Sequence, residues 1–217
     1  MNPQELPQWR LDRLGKATAS RVVDVMSSAT AAYPNYEAQL LVERMTGVPL
    51  DGFCSRDMRR GIEKEPVARE VYQFVTGHTV KLVGFKDHPT IPMTGASPDG
   101  EIIDGGKVGG CEIKCPTTAN HIAWLTSSRH WDQVPLKYRC QMLWQMECAG
   151  YDFVDYIVFD DRMPMGLQIC ITRYFRGKDP MIDRIRPAVR AFLNGIEKKQ
   201  LALQNILNSE VSNNGIA

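Results

Sequence analysis

The sequence predicts an α/β fold in which a mixed β-sheet is flanked by helices, and three observations lead there. Short apolar or alternating runs at 79–85, 101–103, 111–115, 153–159 and 166–175 are separated by stretches with helical apolar spacing. Residues 97–114, SPDGEIIDGGKVGGCEIK, read as a hairpin with a glycine-rich turn. No internal repeat, low-complexity tract or linker divides the chain, so a single domain over 1–208 is expected, with a disordered tail over 209–217. A chain of 217 residues is long enough to bury a proper core.

The elements follow in order. Gly15 breaks a polar entry carrying Trp9, Arg10, Arg13 and Lys16, after which Thr18 or Ser20 is placed to N-cap a helix through Val22, Val23, Val25 and Met26. Basic residues and a hydroxyl beside a helix N-terminus suit a phosphate, because unpaired N–H groups and the helix dipole both favour an anion. For Ser20 the alternative is a plain cap. A second helix spans Tyr36 to Met45 and stops at Gly47. The loop beyond it gathers Arg56, Arg59 and Arg60, either as contacts to a DNA backbone or as ordinary solvated surface. A third helix starts near Glu63 with Pro66 in its first turn, and Val67, Val71, Phe74 and Val75 give its buried face. Glu65, at its opening, is either a third carboxylate for a site or an acid favoured by the dipole.

Thr79 to Phe85 reads as a strand leading into the hairpin, and Pro116 ends the strand that carries Lys114. A helix through His121, Ile122, Trp124 and Leu125 follows. Residues 135–149 contain no glycine and no inner proline, and form a helix closed by Gly150 with Tyr138, Gln141, Trp144, Gln145 and Cys148 on or beside one stripe. An inward glutamine needs a partner, which Gln141 would find in a metal-site water, a phosphate or the backbone. Two strands, 153–159 and 166–175, extend the sheet. A long helix from Asp179, with Ile182, Ile185, Val189, Phe192, Ile196 and Leu203 at helical spacing, closes the domain.

The hairpin carries the chemistry. Its turn is placed over Gly105, Gly106, Gly109 and Gly110, and its second strand runs from Cys111 to Cys115. Side chains alternate on a strand, so Glu112 and Lys114 share one face and Ile113 takes the other. Folding the ribbon back brings Asp99 near Glu112. Two adjacent carboxylates are costly unless a cation lies between them, and all-oxygen donors suit Mg2+, or Mn2+, better than zinc. Such an ion on carboxylates, waters and phosphate oxygens is the equipment of phosphodiester hydrolysis. Lys114 would orient or deprotonate the attacking water, or neutralise charge on phosphorus. The competing reading is a turn pair and a solvated E-x-K face.

Composition narrows the classes. A net charge of +1 means that any basic DNA-binding surface is local. Six cysteines without a C-x-x-C pair or a clustered quartet argue for free thiols in a reducing compartment, against a zinc knuckle and against an iron–sulfur nuclease. The N-terminus MNPQELPQWR has no apolar leader, and no run reaches eighteen apolar residues, so a cytoplasmic protein without a membrane partner is expected.

Taken in order, Arg13-Leu14-Gly15, Thr18-Ala19-Ser20, Gly61 to Glu65, Ser97-Pro98-Asp99-Gly100, Glu112-Ile113-Lys114-Cys115-Pro116 and Tyr138 to Gln141 resemble the lambda exonuclease or YqaJ-like viral recombinase family of phage-type alkaline exonucleases, within the PD-(D/E)xK nuclease superfamily. The resemblance implies a restriction-endonuclease-like core. It assigns Asp99, Glu112, Glu65 and the Ile113 carbonyl to two Mg2+ ions, Lys114 and Gln141 to catalysis, and Arg13 and Ser20 to the 5′-terminal phosphate, which displaces the plain-cap reading. It leaves Arg56, Arg59 and Arg60 unaligned. It also implies a homotrimeric ring that threads double-stranded DNA, degrades one strand 5′-to-3′ to mononucleotides and leaves a 3′ overhang for a single-strand annealing protein, in the bacterial host cytoplasm and encoded by a phage or prophage. An endonuclease of the same superfamily and a non-catalytic DNA-end-binding module are the alternatives.

Overall fold

In the computed structural model, which describes residues 7–50 and 55–214, the hairpin stands at one side of a four-stranded sheet of order β4-β5-β6-β7. Strand β4 (Gly100–Asp104) pairs antiparallel with β5 (Lys107–Lys114). β5 runs parallel to β6 (Phe153–Phe159), which pairs antiparallel with β7 (Ile169–Phe175). The parallel step needs a crossover. Helices α5 (Thr118–Leu125) and α6 (Leu136–Ala149) supply it. A second, three-stranded sheet joins β1 (Ala17–Thr18), β3 (Thr94–Ala96) and β2 (Lys86–Asp87) in the order β1-β3-β2. The remaining helices are α1 (Pro7–Asp12), α2 (Val22–Met26), α3 (Ala32–Thr46), α4 (Arg56–Thr76) and α7 (Ile182–Asn214).

Both faces of the four-stranded sheet are covered. On one, Ile102, Cys111, Ile113, Phe153, Ile157 and Phe159 pack with Ala68 and Tyr72 of α4. On the other, Val154, Tyr156 and Val158 join a larger core with α2, α3, α6 and α7. Helix α6 is buried nearly all round, including Met142, Leu143, Trp144, Gln145 and Met146, because it lies between the two sheets rather than on the surface. Gly47, Gly77 and Gly150 end α3, α4 and α6 in the left-handed conformation.

Several expectations are corrected. The hairpin turn uses only Gly105 and Gly106, both at positive φ. Gly109 and Gly110 lie within β5, opposite Ile102 and Glu101. Glycine is needed at 109 for space: a Cβ there would lie 2.2 Å from the ring of Phe153, which is itself buried and covered by the Arg173 guanidinium at 3.8 Å. Gly109→Ala is therefore expected to cost about 1–3 kcal/mol by overpacking. A thermal melt should show this as a midpoint about 2–12 °C lower.

Helix α4 begins at Arg56 rather than near Glu63, because the Ser55 hydroxyl accepts from Met58 N at 3.1 Å and caps it earlier. Pro66 and Glu65 thus sit mid-helix. The helix is also rotated from the expected face. Ala68, Arg69 and Tyr72 are buried, whereas Phe74 is 90% exposed and Val67 and Val75 are exposed. Polar tethers set that rotation: Tyr72 Oη donates to the buried Asp155 at 2.6 Å, and Arg69 Nε donates to Asp99 O at 3.3 Å.

The expected strand 79–85 is reduced to one bridge from Lys81 to Glu101, since Val80 N is taken by the Gln73 side chain of α4. Neither Thr18 nor Ser20 makes a side-chain cap. A 3-10 turn over Ala19–Arg21 leads into α2, which has only five residues. Helix α7 continues to Asn214, with no glycine or proline between Gly195 and Gly215. Residues 215–217 lie outside the described residues. Leu203 is exposed, as α7 has passed the core by that point. Cys111, Cys115, Cys140, Cys148 and Cys170 are free thiols, and Cys54 lies outside the described residues.

Candidate active site

The site forms where β4 stops short of β5. Gly100 pairs with Cys111, and Asp99 N still donates to Cys111 O at 3.2 Å. One step on, the Asp99 side chain replaces the ladder, its Oδ2 accepting from Ile113 N at 2.7 Å. On a strand the N–H and C=O of one residue point the same way, so the Ile113 carbonyl also faces this sheet end. The Ile113 side chain is buried against α4. Glu112 and Lys114 project to the opposite face, toward α6, as strand alternation requires.

Glu112 is fully buried and held at both oxygens. Its Oε2 accepts from Gln141 Nε2 at 2.9 Å and from Gln145 Nε2 at 2.6 Å, one turn apart on α6. Its Oε1 pairs with Lys114 Nζ. Gln145 is a residue that sequence reasoning placed on the stripe without a role. Its spacing of four from Gln141 was the available signal. Lys114 is 23% exposed in its side chain and lies over the Tyr138 ring at 4.8 Å. Burial alone would push the Lys114 pKa down, but Glu112 and Asp99 outweigh it and raise it.

Glu65 reaches the same cleft from α4. There it pairs with Arg69, an i,i+4 partner that the sequence reading did not single out. Burial, then the charges of Glu112 and Glu65, push the Asp99 carboxyl well up. Burial also raises Glu65, with Arg69 opposing and Glu112 reinforcing. The three acids therefore share one electrostatic neighbourhood. Asp99 and Glu65, with Ile113 and Lys114, line a cleft of about 850 Å³ that continues past Tyr138 to Trp124, and Glu112 is buried beside Lys114.

Among the described residues no three His, Cys, Asp or Glu side chains close into a ready-made metal cage. The donor chemistry nevertheless fits a hard divalent cation. Asp99, Glu112 and the Ile113 carbonyl are all-oxygen donors, and Mg2+ ordinarily takes one or two carboxylates plus waters and phosphate oxygens. A second ion would need Glu65 to exchange Arg69 for metal.

Arg13 stacks over Trp9 at 4.0 Å, and Trp9 Nε1 donates to Ser97 Oγ at 2.9 Å, two residues before Asp99. Thr18 N donates to Tyr36 Oη at 2.9 Å, and the exposed Ser20 hydroxyl lies 3.3 Å from Thr18 Oγ1. Arg21 lies over the ring of Tyr36 at 4.2 Å. Arg56 and Arg59 are exposed on the first turn of α4, whose Asp57 and Met58 line the cleft. Arg60, the third of these arginines, already has partners within the fold. Its terminal nitrogens are engaged by Asp160 (3.0 Å), Asp161 (2.8 Å) and the carbonyls of Cys115 and Pro116 (3.2 and 3.3 Å).

Residues 8–152, which include Glu65, Asp99, Glu112, Lys114 and Gln141, match the model of the YqaJ-like viral recombinase domain. The chain belongs to the YqaJ-like viral recombinase family. This YqaJ-like chain is similar to LHK-Exo, an alkaline exonuclease from Laribacter hongkongensis, with 40% identity over 94% of this chain and 99% of that one and a TM-score of 0.84. One structure of LHK-Exo is a complex with dAMP. A phage-related exonuclease from Haemophilus somnus 129PT shares the fold at a TM-score of 0.60 and 14% identity, covering 88% of this chain and 96% of that one. No curated protein matches this YqaJ-like chain. Among its described residues no helix is long and apolar enough to cross a membrane.

Proposed function

We propose that the chain is a Mg2+-dependent exodeoxyribonuclease that degrades one strand of linear duplex DNA from a 5′-phosphorylated end, releasing mononucleotides and leaving a 3′ overhang. The observation that carries this reading is that Asp99 and Lys114 line one cleft at a sheet end, with the buried Glu112 carboxylate paired to Lys114. Likeness to an alkaline exonuclease at 40% identity supports it, and dAMP on that relative is the kind of product such a reaction releases.

Asp99, Glu112 and the Ile113 carbonyl would hold Mg2+, with Glu65 as the added donor for a second ion, and Mn2+ as a substitute. Bound there, the metal supplies Lewis-acid charge at the phosphate and a water that ionises near neutral pH. Gln141 and Gln145 fix the Glu112 carboxylate by donating to one oxygen, leaving the other oxygen facing Lys114. Lys114, as an ammonium, stabilises negative charge developing on the phosphoryl oxygens. Arg13 and Ser20 bind the terminal phosphate and so set which bond lies beside Lys114. Arg56 and Arg59 touch the duplex through its backbone, which confers little sequence preference. A homotrimeric ring around the duplex and hand-over of the overhang to a single-strand annealing protein complete the proposal, on the strength of the family resemblance.

Linear duplexes labelled at either end, with and without a 5′-phosphate, test the reading directly. Mononucleotides should appear from the 5′ end, closed circles should survive, and EDTA should stop the reaction. Internal nicking of a closed circle would identify an endonuclease instead. Arg13→Ala is expected to erase the preference for 5′-phosphorylated over 5′-hydroxyl ends, a loss of about 10–100-fold in kcat/KM if one charge-assisted bond of about 1.5–3 kcal/mol is removed. A retained preference would take Arg13 out of the phosphate site.

A further inference from the structure

We propose that Arg60 is a positioning residue for Lys114 and Glu65, locking the end of β5 to α4 through the buried carboxylate of Asp160. This role rests on the reading that Lys114 takes part in phosphodiester hydrolysis.

Strand β5 ends at Lys114, and the next two carbonyls, of Cys115 and Pro116, leave the sheet ladder. Backbone acceptors need new partners at such a point. Arg60 Nη1 donates to both, and Arg162 Nη2 also reaches Pro116 O at 3.4 Å. The other side of the Arg60 guanidinium binds Asp160 Oδ1 and Asp161 Oδ1. Asp160 follows β6 directly and is fully buried, and its Oδ2 also accepts from Thr118 Oγ1 at 2.7 Å and Arg162 Nη2 at 2.9 Å. Burial would raise the Asp160 pKa, but the Arg162 and Thr118 donors hold it well below the usual carboxylate range.

One planar guanidinium thus touches three segments: α4, the turn leaving β5 and the segment leaving β6. Lys114 immediately precedes Cys115, and Glu65 lies on the helix that Arg60 anchors. A lysine could not make these contacts at once, because an ammonium lacks the planar fork that spans carbonyls on one side and carboxylates on the other. An arginine reserved for DNA would keep its terminal nitrogens available, and here both are engaged.

The test uses the full chain on 5′-phosphorylated linear duplex with Mg2+. Arg60→Gln is expected to lower kcat by about 10–100-fold, the usual range for supporting groups around a metal site, with KM within about twofold. In a Lys114→Ala background, Arg60→Gln should lower single-turnover rates by clearly less than it does in the unsubstituted chain, because the part of its effect that runs through Lys114 is already lost. Arg60→Lys should fail to restore kcat. Arg162→Gln, at a side chain 49% exposed, provides a variant that keeps the fold and should lower kcat a few-fold in the same direction.

A change confined to KM and sensitive to salt, or recovery of kcat with Arg60→Lys, would overturn the role in favour of a DNA contact. An equal loss in the Lys114→Ala background would make Arg60 an independent structural residue. A lower melting temperature with kcat per folded molecule unchanged in both Arg60→Gln and Arg162→Gln would reduce the arrangement to a staple. An unsubstituted chain that degrades no linear duplex overturns the nuclease reading itself, and the positioning role falls with it.

Discussion

Glu112→Gln is expected to lower the rate of duplex degradation by about a thousandfold or more, since a metal site stabilises the transition state by several kcal/mol and each 1.36 kcal/mol is tenfold. The substitution keeps the volume of a side chain that is fully buried, so the core around it stays filled. What it removes is the charge on which the site converges. Glu112 accepts from two glutamine amides and pairs with Lys114, so its hydrogen-bond and ion-pair partners are all donors. A glutamine amide placed there must turn its own NH2 toward at least one of them. It also loses the anionic oxygen that would bind Mg2+. The check is initial rate on linear 5′-phosphorylated duplex with Mg2+, beside a gel shift in Ca2+ and a thermal melt. A rate within tenfold of the unsubstituted chain would remove Glu112 from the chemistry.

Lys114→Ala is expected to cost about 10²–10³ in kcat, the range seen when one preorganised donor to a developing charge is removed. Binding of DNA in Ca2+ should change by no more than a few-fold, because other cations carry the backbone contacts. Stability falls as well: removing one partner of a buried pair leaves Glu112 without its counter-ion, at about 3–5 kcal/mol, lessened here by the amides of Gln141 and Gln145. Rates must therefore be referred to the folded fraction. An unchanged turnover per folded molecule would show that the ammonium only balances charge.

The legibility of this chain divides along clear lines. Strand alternation put Glu112 and Lys114 on one face, and the structure agrees, because period two is set by the backbone alone. Gly150 was readable as the end of α6, since a left-handed residue after a helix favours glycine. The rotation of α4 was not readable. Val67, Val71, Phe74 and Val75 have the spacing of a core face, yet the helix is turned by Tyr72 reaching Asp155 and Arg69 reaching Asp99, partners 83 and 30 residues away in sequence. Gly109 and Gly110 looked like turn residues for the same reason. Only the rings of Phe153 and Tyr151, from a later strand and the loop before it, explain why glycine is needed inside β5.

Arg60 makes the contrast sharpest. From the sequence it is one of three neighbouring arginines on a loop, and charge alone cannot distinguish a cation free to meet DNA from one held by a buried acid. Asp160, a hundred residues on, is the partner that only the fold brings to it. By itself the sequence determined the local periodicities, the hairpin and the set of acids, amide and amine that belong together. The tertiary structure decided which faces are buried, which acid keeps an arginine partner and which guanidinium is spent inside the fold, because those depend on contacts between segments that no local pattern encodes.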